Sequence, residues 1–328
     1  MKAIHCTQYG DVEHLKILEV EKPAIGKDEV LVQVATTTVQ TADWRVRTLT
    51  MPAGMTFFAK IFFGFNKMKQ PILGTEFAGR IVSVGESVTR FKVGDDIVAT
   101  TGAKFGAHAE FSKVSENGVV LKKPSRLTFQ EIVCLPFGGL TALDFLKYRV
   151  KVKPNQNVLV VGASGAVGTA AIQISKILGA NVIAVCSYEN QHFVKSLGAD
   201  QVIDYARTKF WEESSKYDVI FDAVGNLETS KLLNSLHKNG KLVLVSASLW
   251  QMLTSALRNF FSKQEIFSGV IEESPQRLAE LVRLVELGKY KPVIGKEYAF
   301  QDIVEAHKCV QSRHKRGNVV INVNSSIQ

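Results

Sequence analysis

The chain has 328 residues, of which 46% are hydrophobic and 22% charged, the composition of a folded globular protein with room for two domains. Its formal charge of +9 comes without a basic run longer than Arg313-His314-Lys315-Arg316 and without an aromatic-and-basic module, so nucleic acid is disfavoured as a partner and the scattered lysines suit attraction of an anionic cofactor. Cys6, Cys134, Cys186 and Cys309 form no C-x-x-C pair, which suggests neither a disulfide framework nor a cysteine zinc cluster and points to the cytoplasm.

The opening MKAIHCTQYGD lacks an apolar h-region and is not expected to be a signal peptide. The longest uncharged run, Pro154 to Ser175, carries too many glycines and polar residues to face lipid, so no membrane partner is expected.

Residues 1 to 122 read as an all-β unit. Lys2 to Cys6, Leu15 to Glu19, Glu29 to Val34, Phe77 to Val84, Asp96 to Ala99, His108 to Val114 and Val119 to Leu121 are short alternating or apolar strands. Turn residues such as Gly85-Glu86-Ser87 and Gly94-Asp95 separate them, and the pattern suggests a small barrel. Thr41 to Leu49 is a predicted helix. The following segment, MPAGMTFFAKIFFGFNKMKQ at 51 to 70, has no clean period and is either a lid over an apolar substrate pocket or a loop packed against a neighbouring subunit.

From residue 123 the pattern changes to strand–helix alternation. Thr128 to Leu135 and Gly138 to Val150 are predicted helices, and Asn157 to Val161 and Asn181 to Val185 are Val/Ile-rich strands of the kind buried on both faces. Helix Gln191 to Leu197, strand Gln201 to Ile203, strand Tyr217 to Asp222, helix Thr229 to Leu236, strand Lys241 to Val245 and helix Gln276 to Leu287 continue a doubly wound sheet. In the tail, Ile303 to Val310 reads as a helix and Asn318 to Val323 as a strand that returns to the first unit and completes it.

The turn Gly162-Ala163-Ser164-Gly165-Ala166-Val167-Gly168 joins the first parallel strand to a helix whose apolar positions run through Val167, Ala171, Ile174 and Leu178 until Gly179. A helix that starts straight after a strand aims unpaired N–H groups and its positive dipole end at the sheet edge, where a pyrophosphate fits. Gly165 lets backbone approach the phosphates and Gly168 lets helix and strand pack closely. A strand before the glycines and a helix after them supply the context that a dinucleotide fingerprint requires.

Several stretches together carry a family resemblance: EVLVQV at 29 to 34, PILGTEFAG at 71 to 79, VGESVTRFKVGDDIV at 84 to 98, LPFGGLTAL at 135 to 143, GASGAVG at 162 to 168, LGADQVIDY at 197 to 205 and HKRGNVVINV at 314 to 323. In this order the chain resembles a zinc-free quinone oxidoreductase of the medium-chain dehydrogenase/reductase superfamily. The resemblance implies an α/β architecture: a GroES-like β-barrel catalytic domain over 1 to 122, completed by about 292 to 328, and a Rossmann dinucleotide-binding domain over 123 to 291. It also implies a cofactor in the cleft between them and a homodimer joined edge to edge through the Rossmann sheets, with Lys241 to Val245 and the apolar segment after it as the expected edge.

Zinc-dependent members place a Cys just after the third strand and a His-Glu pair after the glycine that precedes Phe77. Here those regions read Thr41-Ala42-Asp43-Trp44 and Gly74-Thr75-Glu76; both soft ligands are missing, so no metal site is expected. The family places an Asn and an Asp in the segment that reads Gln40-Thr41-Ala42-Asp43. Gln40 keeps the amide on a longer arm. Gln40 and Asp43 either donate hydrogen bonds to a reacting carbonyl or cap the short helix at Thr41. Thr141 matches a family threonine beside the nicotinamide and alternatively is an ordinary helical threonine.

The second parallel strand ends Val185-Cys186-Ser187, where an NAD-preferring site usually has an acidic residue. Ser187 can donate to a 2′-phosphate, Tyr205 either matches a family tyrosine that contacts it or, as a strand-end aromatic, only packs, and Arg316, with Lys315, either adds charge near the cofactor or belongs to a solvated surface cluster. NADPH is therefore preferred over NADH, with Glu189 as the dissenting residue. The expected function is NADPH-dependent transfer of a hydride to a quinone or α,β-unsaturated carbonyl without zinc. The alternative is an NADPH-binding regulatory or RNA-binding protein without catalysis.

Overall fold

The computed structural model describes residues 1–324 and 327. Seven strands come from the first third of the chain: β1 (Lys2–Cys6), β2 (Leu15–Glu19), β3 (Glu29–Val39), β4 (Glu76–Val84), β5 (Asp96–Thr100), β6 (Phe111–Ser115) and β7 (Val120–Lys122). Six parallel strands follow: β8 (Asn157–Val161), β9 (Asn181–Cys186), β10 (Gln201–Asp204), β11 (Tyr217–Asp222), β12 (Leu236–Leu244) and β13 (Glu265–Ser268). The tail adds β14 (Ile294–Ala299) and β15 (Asn318–Asn322).

The parallel sheet has the order β10-β9-β8-β11-β12-β13. Chain order reverses between β8 and β11, whose registers pair Val158 with Val219 and Val161 with Asp222. The crevice above that reversal is where open α/β sheets bind ligands. Nearly every residue of β8, β9 and β11 is buried, which accounts for their unbroken Val/Ile composition.

The antiparallel sheet runs β14-β15-β3-β4-β5-β7, with β6 on β3. One long strand serves two neighbours along one edge: Glu29 to Gln33 of β3 pair with β6, and Thr36 to Val39 pair with β15. The sheet thus curls, but the pairings among the described strands do not close a ring, so the barrel expected from the sequence is an open one. The tail strand does return to this sheet, with Val319 opposite Val39.

Three local readings differ from the sequence. The two helices predicted between Thr128 and Val150 form one helical run, Phe129–Arg149, with wide π turns at Pro136–Leu140 and Asp144–Arg149. Pro136 opens the first of these turns, where the ladder is interrupted: it has no N–H to give, and the Phe137 amide donates to Glu76 instead of to the preceding turn. The run is long and apolar enough by composition to cross a membrane, but 83% of its apolar window is buried inside the fold. Next, Lys241 to Val245 is not a sheet edge: β12 pairs with β11 on one side and β13 on the other. The edge is β13, which went unpredicted because it is only four residues long. Lastly, helices form at Thr56–Phe63, within the segment read as having no clean period, and at Leu249–Phe261, for which no element was predicted.

Candidate functional site

Gly162 leaves β8 at φ +77°, and the helix Ala166–Ile177 begins with Gly165 at its N-cap. A Cβ on Gly168 would lie 2.1 Å from the Gly162 carbonyl oxygen, whereas one on Gly165 would meet nothing nearer than 3.6 Å. The third glycine is therefore required by packing and the middle one faces open space, as a phosphate cradle demands. The tail crosses this turn: Gly317 N donates to the Ser164 carbonyl at 2.8 Å, and Gly165 and Gly317 form a parallel bridge. That contact lays Arg313, His314 and Lys315 along the cradle.

Three adjoining cavities make one trench over the carboxyl ends of the parallel strands. The first is lined by Ser187, Asn190, Tyr205, Arg313 and His314. It shares Gly162, Ser164 and Arg313 with the middle cavity, which holds Gly165, Ala166, Val167, Gly168 and Lys315. The middle one shares Phe137, Thr41 and Arg45 with the third, a cavity of about 410 Å³ walled by Val46, Met51, Phe63 and Phe105. Two carboxyls, Glu76 and Glu273, reach its wall.

Behind the wall of this third cavity lies a buried polar cluster. Glu76 accepts from the Thr38 hydroxyl, from Gln40 Nε2 at 2.8 Å and from the Phe137 amide at 2.7 Å. Gln40 Nε2 also donates to Asn318 Oδ1 at 3.0 Å, and its oxygen accepts from Lys315 Nζ at 3.2 Å. Burial pushes the Glu76 pKa up to about 7 against the pull of its three donors. Desolvation likewise lowers that of Lys315 to about 8, opposed chiefly by the negative charge of Glu76. Asp43 is fully buried; its carboxylate accepts from Gln40 N at 2.7 Å and Gly74 N at 2.9 Å, and burial raises its pKa.

Among the sequence-derived cofactor residues, Gly162, Ser164, Gly165, Ala166, Val167, Gly168, Ser187 and Tyr205 all border the trench. Ala163 points instead into the core and is wholly buried. Arg316 stands beside the nucleotide end, where its guanidinium bonds the Asn190 side chain and, at 2.9 Å, the Glu189 carbonyl. Gln40 and Asp43 are wholly buried and do not border the trench: Asp43 ties down the start of helix Thr41–Thr48, and the Gln40 amide joins Glu76 to Lys315. Thr141 is buried and donates to the Phe137 carbonyl one turn back, the bonding of an ordinary helical threonine. Sequence reasoning overlooked Arg313, which borders both nucleotide cavities, and Glu273, which approaches Thr100 at 3.1 Å. The basic run just before β15 was a usable signal for the former; nothing local marks the latter.

Zinc does not fit at the position where zinc-dependent dehydrogenases carry a His-Glu pair. Both Glu76 oxygens accept from protein donors, and the neighbouring Gln40 amide nitrogen and Lys315 ammonium are donors rather than ligands. A reduced nicotinamide dinucleotide does fit: the trench offers an open glycine cradle at a helix N-terminus with cationic side chains beside it.

Comparison with known proteins agrees with this geometry. Residues 26–126 match an alcohol dehydrogenase GroES-like domain and residues 197–321 match a zinc-binding dehydrogenase domain. The chain is 31% identical to a chloroplastic quinone oxidoreductase of Triphysaria versicolor, with 98% of each chain covered. It is 29% identical to an NADPH-dependent alkenal/one oxidoreductase of Arabidopsis thaliana, over 98% of this chain and 79% of the relative. The solved quinone oxidoreductase of Coxiella burnetii superposes with a TM-score of 0.88 at 27% identity, over 99% of both chains.

Proposed function

The chain belongs to the quinone oxidoreductases of the medium-chain dehydrogenase/reductase superfamily, and from that premise we propose that it is an NADPH-dependent reductase of quinones and α,β-unsaturated carbonyls. The observation that carries the reading is the single trench, with a phosphate cradle at its middle and an apolar cavity at one end. Bound NADPH supplies the hydride, and a quinone or enone accepts it at an electron-poor carbon.

The chain's own residues bind, orient and exclude water. The amides at Ser164 to Val167 receive the pyrophosphate, while Arg313, Ser187 and Tyr205 hold the ribose phosphate, with Arg316 steadying the neighbouring turn. The absence of a carboxylate at Ser187 supports NADPH over NADH. Phe63, Phe105, Met51 and Phe137 give the acceptor an apolar enclosure. Glu273, on the cavity wall where it accepts from the Thr100 hydroxyl at 3.1 Å, stands where it can deliver a proton as negative charge forms on the acceptor. Gln40 and Asp43 position Glu76 and Lys315, and Thr141 fixes Phe137.

In this reading residues 1–122 with about 292–328 carry the acceptor and residues 123–291 the nucleotide. A homodimer forms along the β13 edge, and the compartment is cytoplasmic, consistent with four free cysteines. Loss of reduced-nicotinamide absorbance with a panel of quinones and enones tests the activity: turnover above background with either class is expected. Tight NADPH binding with no turnover across the panel would favour a binding protein without catalysis.

A further inference from the structure

Most surface helices turn apolar residues inward, but Leu249–Phe261 does the reverse. Trp250, Leu253, Leu257 and Phe260, spaced three and four apart, are exposed by 59 to 85%. The polar residues of the opposite stripe face the protein: Ser255 is buried, Gln251 bonds Thr229 at 3.0 Å, and Asn259 bonds Ile266 through both its amide atoms. The helix is therefore docked by polar groups and presents its apolar stripe outward.

The turn that leads into a second helix, Thr56–Phe63, lies against its start. Leu249 N donates to the Ala53 carbonyl at 3.1 Å. This helix and the loop after it expose Phe57, Phe58, Ile61, Phe62 and Phe65 by 46 to 62%. Residues 44–75 and 246–264 contain no Asp or Glu. Their charged groups are all basic, among them Lys67, Lys69, Arg258 and Lys263, all exposed. Apolar side chains of this size, on segments whose own charges are all basic, match an interface with anionic lipid, although Glu228, Glu265, Glu272 and Glu273 lie next to them. The acceptor cavity opens beside them, since Met51, Pro52 and Phe63 come from one segment and Val245 and Ser246 lead into the other.

We propose that the two helices form a membrane-docking surface that seats the cavity mouth on an anionic bilayer, from which an apolar acceptor enters without crossing water. The absence of a membrane partner expected from the sequence concerned spanning segments; a helix lying in the interface needs no apolar run of that length. The docking itself is independent of catalysis, and only the lipid-borne acceptor rests on the proposed reductase activity.

Co-sedimentation with phosphatidylcholine vesicles, with and without phosphatidylglycerol, tests it directly. Wild-type protein is expected to partition onto the anionic vesicles about tenfold more than onto the neutral ones, to be released by salt, and to shift Trp250 emission to shorter wavelength. F57E/F62E and L253E/F260E change only exposed side chains outside the trench, so each should abolish sedimentation while keeping turnover of a water-soluble quinone. Equal partition onto both vesicle types, or none, overturns the proposal. So do light-scattering data in which wild type is an oligomer and the same variants are monomers without any vesicle binding, because a second copy of the chain then covers the surface. Vesicle binding without NADPH oxidation would keep the surface and remove the reductase.

Discussion

Gln40 donates to Glu76 Oε1 at 2.8 Å while its own oxygen accepts from Lys315 Nζ at 3.2 Å, so one neutral amide stands between a carboxyl and an ammonium whose pKa values have both moved toward neutrality. The amide satisfies both groups without requiring either to be fully charged. Gln40→Leu would strand them and leave Asn318 Oδ1 without its donor. A loss of about 1–3 kcal/mol is expected, seen as a lower urea midpoint, with Gln40→Asn intermediate because its shorter arm cannot span Glu76, Asn318 and Lys315 together. A Gln40→Leu midpoint equal to wild type would remove the cluster from any structural role.

Glu76 gives the fold a pH dependence with a definite sign. Its pKa rises from 4.5 to about 7 on folding, so between those values the native state holds a proton that the unfolded chain has lost. Its contribution is fully present below pH 4.5 and is lost as pH rises through 7. The shift corresponds to roughly 3 kcal/mol between protonation states. Glu76→Gln should flatten that part of the stability profile, measured by urea unfolding across the window. Parallel profiles for wild type and variant would contradict the assignment.

The two inner glycines of the cradle should fail differently. Gly168→Ala puts a methyl against backbone, so a destabilisation of several kcal/mol or no soluble protein is expected. Gly165 has φ −76° and open space around its missing Cβ. Gly165→Ala should fold normally and weaken NADPH binding by about tenfold or more, since the methyl enters the phosphate path. Calorimetric titration of the folded variant decides it; unchanged affinity would move the phosphates elsewhere.

Cofactor preference should follow charge at the nucleotide end. Ser187→Asp places a carboxylate where the 2′-phosphate binds, and Arg313→Gln removes a cation common to both nucleotide cavities. Each should raise the KM for NADPH by roughly tenfold, about 1.4 kcal/mol, with Ser187→Asp improving the use of NADH. A preference ratio that stays put in both variants would place the ribose phosphate outside this cavity.

Much of the molecule was legible from local pattern. The Val-rich strands, the glycine turn and the restart of helical spacing at Val167 are set by residues near one another in the chain, so the nucleotide half could be read directly. The tail strand was legible as a strand returning to the first unit, but nothing in Asn318 to Asn322 says that its partner is β3.

Tertiary structure decided the rest. Gln40 lies 275 positions from Lys315 and 278 from Asn318 in sequence, and only the return of β15 beside β3 makes them neighbours. The same return carries Arg313 over the cradle. The outward stripe of Leu249–Phe261 was hidden for a related reason: its spacing is ordinary, and which side faces solvent depends on polar partners at Thr229 and Ile266. Sequence specified most of the strands, turns and helices, though not β13 or the helices Thr56–Phe63 and Leu249–Phe261, because those preferences act over a few residues. Assembly of the site needed contacts across hundreds of residues, which no local preference encodes.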